Sequence, residues 1–381
     1  MIQSPPHIFD LSPQSLADHV TGWGLPRYRA DQVLHWVYQR QVIDPALMTD
    51  LSARDRGVLA EKLTFLRSRV VQHQVATDGV QKLLVEWDQA SGGAGEPAAS
   101  AQALPVLGQR RDAQTECVMI PAGDESQPER GEPRSRARKT SCISSQIGCP
   151  VGCRFCASGL GGLDGNLTAG QIVEQVWRLG ALPQVGRITN VVFMGMGEPL
   201  SNFDQVTAAI ATMMADWGLH ISGRRITIST VGLPAQMRRL ADLELPVTLA
   251  ISLHAPNDDI RRRLIPWAQY VTIEQLLDAG RYYFQRTGRE VTLEYTLLRN
   301  VNDRPEHARE LAHVARTLRG NVNLIRYNEV KDLPFNRPAT EDVRTFQAIL
   351  QKHGVNTHIR ASRGRDIAAA CGQLRHEHAE A

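Results

Sequence analysis

The chain has 381 residues, 42% of them hydrophobic, enough for one large α/β domain and a smaller one. Forty-three Lys and Arg against 40 Asp and Glu leave a net charge of +3, so no global field dictates a nucleic-acid partner. No apolar run approaches the roughly 18 residues of a membrane span.

The start, Met1-Ile2-Gln3-Ser4-Pro5-Pro6, lacks a charged segment followed by an apolar core and does not read as a secretory signal. Six cysteines with one tight cluster then point to a reducing cytoplasm and a metal site. From Ser12 to Leu66 the pattern is one of small helices, with Val33, Trp36 and Val37 on one apolar face. Arg27, Tyr28 and Arg29 remain on the outside, a weak signature of RNA contact. Arg69 to Pro121 turns to strands, over Val70–Val75 and Gln81–Trp87, with Asp78-Gly79 as a hairpin signal between them. Ala90–Ala103 is rich in Ala, Gly and Ser and reads as a flexible insertion. Asp124–Lys139 carries Arg130, Arg134, Arg136, Arg138 and Lys139, and is either a solvated loop or a basic flap that meets phosphate.

Beyond Thr140 strands and helices alternate. Strands are predicted at Ile188–Met194, Arg225–Thr230, Val247–Leu253, Val291–Leu297, Val322–Tyr327 and Asn356–Ala361. Helices are predicted at Thr168–Leu179, Phe203–Trp217, Pro234–Leu243, Ile273–Thr287, Pro305–Leu318 and Glu341–His353. Repeated βα units with apolar strands make a parallel sheet covered by helices, as either a barrel or a doubly wound sheet. In a barrel, chemistry gathers at the C-terminal ends of the strands. The Cys loop, Gly195-Met196-Gly197-Glu198-Pro199 and Ser252-Leu253-His254 all fall at such ends.

Cys149, Cys153 and Cys156 are spaced C-x3-C-x2-C in a glycine-containing loop. Thiolates select zinc, copper(I) or iron–sulfur clusters. Structural zinc closes its fourth position with another Cys or His, whereas three thiols on a four-iron cluster leave one iron open to a reactive ligand. Gly197 allows backbone to approach a ligand closely, and Glu198 can take an amino group. Either motif alone is weak; one βα unit apart, they reinforce each other.

Together these motifs resemble the radical S-adenosylmethionine (SAM) enzymes. The resemblance narrows with Cys142-Ile143-Ser144-Ser145-Gln146, Ile226-Thr227-Ile228-Ser229-Thr230, Ala250-Ile251-Ser252-Leu253-His254-Ala255-Pro256-Asn257 and Asp366-Ile367-Ala368-Ala369-Ala370-Cys371-Gly372. The chain is similar, from about Pro26 to Leu374, to the RlmN/Cfr family of radical SAM RNA adenine methyltransferases, on the RlmN side. The stretches near residue 95 and before Thr140 depart from that pattern.

The resemblance implies a partial (β/α)6 TIM-type barrel over 140–361. It implies a helical accessory domain for RNA binding at 1–68, a β-rich linker with insertions at 69–139, and a C-terminal segment at 362–381. It implies one [4Fe-4S] cluster on Cys149, Cys153 and Cys156, and SAM held by Gly197, Glu198, Ser229, Ser252, Leu253, His254 and Asn328. An adenine carbon is a poor nucleophile, and cofactor radical chemistry avoids that barrier. In the family one SAM methylates a cysteine, here Cys371; a second yields a deoxyadenosyl radical that takes hydrogen from that methyl. Cys142 would attack Cys371 to form a transient disulfide and release product, and Glu116 stands where the family has a proton acceptor. Cys117 matches no such position and reads as an inert buried thiol.

The function implied is methylation of adenine carbon 2 in 23S ribosomal RNA and in transfer RNA, with a flavodoxin- or ferredoxin-like reductant, by a cytoplasmic monomer. Carbon 8 methylation is the alternative within the class; a non-catalytic zinc-binding RNA module is the remote one. Arg224-Arg225, Arg238-Arg239 and Arg261-Arg262-Arg263 are candidate phosphate contacts, or else solvated faces.

Overall fold

The computed structural model describes residues 4–88, 113–122 and 138–374. The insertion at 90–103 lies outside these, as does the Arg-rich stretch apart from Arg138 and Lys139.

The N-terminal module holds three short helices: α1 (Pro13–Gly22), α2 (Arg29–Leu34) and α3 (Ala53–Lys62). Ser12 starts α1 with a reciprocal cap to Ser15, and Ser52 caps α3. A π-helical turn, His35–Gln39, continues α2, and Val33, Trp36 and Val37 are buried along that face.

The strands are β1 (Ser68–Val75), β2 (Gln81–Trp87), β3 (Gln114–Pro121) and β4 (Lys139–Cys142), followed by a small hairpin, β5 (Gln146–Gly148) and β6 (Leu163–Asn166). Then come α4 (Ala169–Gly180), β7 (Asn190–Phe193), α5 (Phe203–Met214), β8 (Ile226–Thr230), α6 (Pro234–Asp242) and β9 (Thr248–Ser252). The chain continues through α7 (Asp258–Leu264), α8 (Ile273–Thr287), β10 (Val291–Leu297), α9 (Pro305–Ala315), β11 (Gly320–Arg326), α10 (Thr340–Lys352) and β12 (Thr357–Arg360).

Ten strands form one sheet in the order β1-β2-β3-β4-β7-β8-β9-β10-β11-β12. From β4 onward every pair is parallel and the strands follow one another in chain order. A doubly wound sheet reverses strand order at a switch point. The unbroken order here is that of a barrel left open, six βα units with β12 as the last strand. All seven residues of β10 are buried, as a parallel strand covered on both faces requires.

The three strands ahead of β4 are antiparallel and extend the barrel sheet. Their register sets Lys82, Val118 and Cys142 in a row on one face. Val80, Val118, Cys142, Val192 and Met196 form a small apolar cluster there, and Ala369 and Leu374 of the C-terminal segment cover it. The opposite face, with Leu83, Val85, Cys117 and Met119, joins the main core. No helix among the described residues is long and apolar enough to cross a membrane.

Candidate active site

The Cys loop is folded by its glycines and by the β5–β6 hairpin. Gly148 has φ +76°, and a Cβ there would stand 2.1 Å from the Gly162 carbonyl oxygen. Cys149 N–H donates to that same carbonyl at 2.8 Å, closing the loop. A Cβ on Gly159 would stand 2.8 Å from Gly152 Cα, so two turns of the loop pack backbone on backbone.

Cys149, Cys153 and Cys156 line one cavity. Gly197, Glu198, Ser229, Ser252, His254 and Cys371 line it too, so the barrel's strand ends and the C-terminal segment share one chamber. Burial pushes the Cys149 thiol up to about 12 and those of Cys153 and Cys156 upward, with neighbouring thiols adding to the effect at Cys149 and Cys153. Cations bound at such sulfurs reverse that balance and hold them as thiolates.

The donor set fits an iron–sulfur cluster. Main-chain N–H groups of Val151 and Gly197 serve the Cys149 sulfur, and those of Ser158 and Gly159 serve Cys156, the hydrogen bonds that tune cluster sulfurs. Among the described residues no three His, Cys, Asp or Glu side chains converge on a single metal ion.

Gly197 has φ +103°, and a Cβ there would stand 2.6 Å from Ser145 Oγ, so only glycine lets this strand end lie against β5. Glu198 is buried, and its carboxylate accepts from Thr230 Oγ1 at 2.7 Å, Val231 N–H at 2.8 Å and Leu200 N–H at 3.0 Å. It thereby ties the end of β7 to that of β8, and burial pushes its carboxyl up to about 7 against those three donors. Ser229 and Ser252 face each other across β8 and β9, with hydroxyl oxygens 3.1 Å apart.

His254 is held with φ +54°, and its Nδ1 accepts from Thr296 N–H at 3.0 Å. That bond leaves Nε2 carrying the proton. Burial, then Arg261, pushes its pKa down to about 3, so the ring stays neutral against Phe155. Leu253 is fully buried and Asn328 nearly so, and neither lines the chamber. Asn328 instead donates from Nδ2 to the Cys371 carbonyl at 3.2 Å and accepts from Arg337 Nη1 at 3.0 Å.

Cys371 is exposed on the chamber wall. Its segment is held by main-chain acceptors: Ala157 N–H donates to the Gly372 carbonyl at 2.8 Å and Ser158 Oγ to that of Leu374 at 2.6 Å. The surrounding protein raises the Cys371 thiol to about 11, with Arg360 opposing. Cys142, buried at the end of β4, is pushed up to about 12 by burial and then by neighbouring Cys371, again with Arg360 opposing. The fold thus brings the segment of Cys371, 229 positions on in the chain, over Cys142, which packs with Ala369 and Leu374 but does not line the chamber.

Glu116 also lies off the chamber, on the sheet face of Cys142, where Lys82 Nζ meets its Oε1 at 2.6 Å. Lys82 Nζ also donates to the Ala368 carbonyl at 3.4 Å, reaching the segment that carries Cys371. Cys117 is fully buried in the main core.

Sequence reasoning missed Glu294, Arg360 and Lys82. Arg360 Nη1 lies 3.2 Å from Met194 Sδ and 3.3 Å from Glu294 Oε2, and Asn323 Nδ2 donates to Glu294 Oε1 at 3.0 Å. The signal was there: a charged residue inside an apolar strand has to be paired or functional. The three Arg runs do not behave alike. Arg261 is fully buried and donates to the Val231 and Val271 carbonyls, so it is a strut and no RNA contact. Arg224 and Arg225 precede β8, at the end of the barrel away from the chamber.

Comparison with known proteins agrees with this architecture. Residues 143–312 match the model of the radical SAM superfamily. Residues 7–64 match that of the ribosomal RNA large subunit methyltransferase N-terminal domain. The chain is 42% identical over 367 residues to a probable dual-specificity RNA methyltransferase RlmN of Salinibacter ruber, covering 95% of this chain and 92% of that protein. It is 39% identical to the dual-specificity RNA methyltransferase RlmN of Dichelobacter nodosus, covering 97% and 93%. A crystal structure of a radical SAM methyltransferase from Sphaerobacter thermophilus superposes with a TM-score of 0.85 at 38% identity, covering 98% of this chain and all of that one. A three-thiol chamber at the mouth of an open barrel, a matching N-terminal module and near-full-length identity of about 40% place the chain in the RlmN family of radical SAM enzymes.

Proposed function

We propose that this chain methylates carbon 2 of an adenine in 23S ribosomal RNA and in transfer RNA, with Cys371 as the methyl carrier. The observation that carries the reading is Cys371 set on the wall of the three-thiol chamber, with Cys142 in the apolar cluster that Ala369 and Leu374 of its segment cover. When bound, the cluster and SAM supply the methyl group for Cys371 and the radical that removes a hydrogen from it. Gly197, Glu198, Ser229, Ser252 and His254 line the space for SAM; Leu253 and Asn328 contribute from behind, Asn328 by holding the Cys371 carbonyl.

Once the methylene carbon joins Cys371 sulfur to adenine, Glu116 or Cys142 accepts the ring proton, and the one electron the ring gives up goes to the cluster, when bound. The Cys142 thiolate then attacks the Cys371 sulfur, an S–S bond forms, the carbon–sulfur bond breaks, and the released carbon takes a proton to become methyl. Arg360 faces both thiols and favours their charged forms. Residues 1–68 grip folded RNA, 69–139 link, 140–361 hold the cofactors and 362–381 present Cys371. The protein works as a cytoplasmic monomer with a flavodoxin- or ferredoxin-type reductant.

Peptide mass analysis of protein purified from cells should find a methyl group on Cys371, and Cys142→Ala should trap RNA covalently on the protein. Mass mapping of nucleosides from cells with and without the protein should place the methyl on adenine carbon 2. Active enzyme with unmodified Cys371, or product released at the normal rate by Cys142→Ala, overturns the mechanism.

A further inference from the structure

A base that reaches Cys371 brings its sugar and phosphates to the chamber mouth, and three arginines belong to one side of it. Arg326, the last residue of β11, donates from Nε to the Pro338 carbonyl at 2.8 Å, next to Arg337. Arg337 donates from Nη1 to the Tyr327 carbonyl at 2.8 Å and to Asn328 Oδ1, and from Nη2 to Ser362 Oγ at 3.3 Å. Arg365 follows Ser362 by three residues on the same loop and is exposed. Tyr327 lines the chamber and Asn328 holds the Cys371 carbonyl, so this cluster is one residue removed from the methyl carrier.

Among the described residues none of the three guanidiniums has a carboxylate within ion-pair distance. Glu329 is the nearby acid, and it accepts only the Arg337 main-chain N–H, at 3.4 Å. Burial, then Arg365 and Arg326, pushes Arg337 down to about 10, with Glu329 opposing. Like charges held together at a partly buried site favour an anion between them, and guanidiniums present the donor fork that phosphate oxygens match. Three other arginines are spent elsewhere: Arg239 on Asp204, Arg262 on Asp259, Arg238 on the Tyr282 ring.

We propose that Arg326, Arg337 and Arg365 form a seat for a backbone phosphate adjacent to the target nucleotide, fixing the base's depth in the chamber. This rests on the reading of RNA as substrate. Arg337 also braces Asn328, so the test uses Arg326→Gln with Arg365→Gln and leaves Arg337 in place. The probe is the ribosomal RNA hairpin containing the mapped adenine, bound to holoenzyme across a salt series.

Affinity of the double variant should fall at least about tenfold at low salt. The slope of log affinity against log salt should become shallower by roughly 0.7, the share of one phosphate on a single strand. A hairpin with one uncharged methylphosphonate beside the target should lose the same affinity on wild-type protein and nothing further on the double variant. Lysine at both positions should restore most of the binding. Unchanged affinity and slope, or a methylphosphonate penalty of full size in the double variant, overturns the seat while wild-type methylation of the hairpin upholds RNA as substrate. A wild-type protein that neither binds nor methylates the hairpin removes both.

Discussion

Glu174 on α4 is the joint between the N-terminal module, the first strand and the barrel, and its replacement by alanine should loosen all three. Its side chain is fully buried and its carboxylate accepts from Arg67 N–H at 2.9 Å, Ser68 N–H at 3.1 Å, Ser68 Oγ at 2.5 Å and Arg178 Nε at 2.9 Å. His7 Nε2 stands 3.1 Å away, itself buried. Removing one partner of a buried charge pair costs about 3–5 kcal/mol, and each orphaned buried amide adds roughly 1–3 kcal/mol before relaxation. Because these terms are not additive, we expect about 5 kcal/mol for Glu174→Ala and about half that for Glu174→Gln, which keeps one acceptor oxygen.

The assays are urea unfolding and limited proteolysis. Cleavage should appear first around residues 64–68, with the barrel fragment surviving. A loss below 1 kcal/mol with no new cleavage would refute the reasoning. The joint also has a pH window. Burial opposes charge on both partners, yet Asp10 and Glu174 beside His7, and His7, Ser68 and Arg67 beside Glu174, outweigh it, leaving Glu174 below its usual carboxylate range and His7 above its usual imidazole value. The contribution of Glu174 is lost as pH falls through its depressed pKa; that of His7 is lost as pH rises through its elevated one. Protection of the 64–68 junction should therefore peak between the two.

Gly148→Ala should abolish iron uptake. A left-handed non-glycine conformation costs roughly 1–3 kcal/mol, and the clash with the Gly162 carbonyl forces the β5–β6 hairpin open. Gly152→Ala shares the positive φ but meets nothing within 4 Å, so it should keep most of its iron; equal iron content in both variants would contradict the account. His254, neutral in the fold with a pKa of about 3 against 6.5 when free, favours folding at neutral pH and loses that advantage as pH falls below 6.5. At pH 5 the loss should be about 2 kcal/mol, from roughly 1.4 kcal/mol per unit. It is read as a narrowing stability gap between wild type and His254→Asn, and a gap constant from pH 8 to 5 would count against a buried neutral ring.

The alternation of strands and helices was legible because each parallel strand is a short apolar run and some helices carry a start signal, such as Thr168 and Thr272 in reciprocal caps. The choice of a barrel over a doubly wound sheet came only from the family resemblance. Ile273–Thr287 and Val291–Leu297 were predicted to the residue. The β5–β6 hairpin and α7 were not, since three to seven residues carry too little periodicity. Nor was the fusion of β1–β3 with the barrel sheet, because pairing between distant strands leaves no local mark. Within the site, thiol spacing and the Gly197-Glu198 turn are local and were readable. The Arg360–Glu294 pair and the approach of Cys142 to Cys371 join residues far apart in sequence, and only the fold brings them together.

The segment that carries Cys371 has a further consequence for how this protein tolerates change. Its anchors are mostly main-chain atoms: the carbonyls of Ala368, Cys371, Gly372 and Leu374, and Gly364 N–H on Asp78 Oδ2 at 3.0 Å. Such anchors do not read side-chain identity, but they do count residues. Ala368 already bends through φ +50°, so little slack remains. Adding or deleting one residue between Gly364 and Cys371 would carry the thiol out of register with Cys142. The segment acts as a ruler whose graduations are peptide bonds.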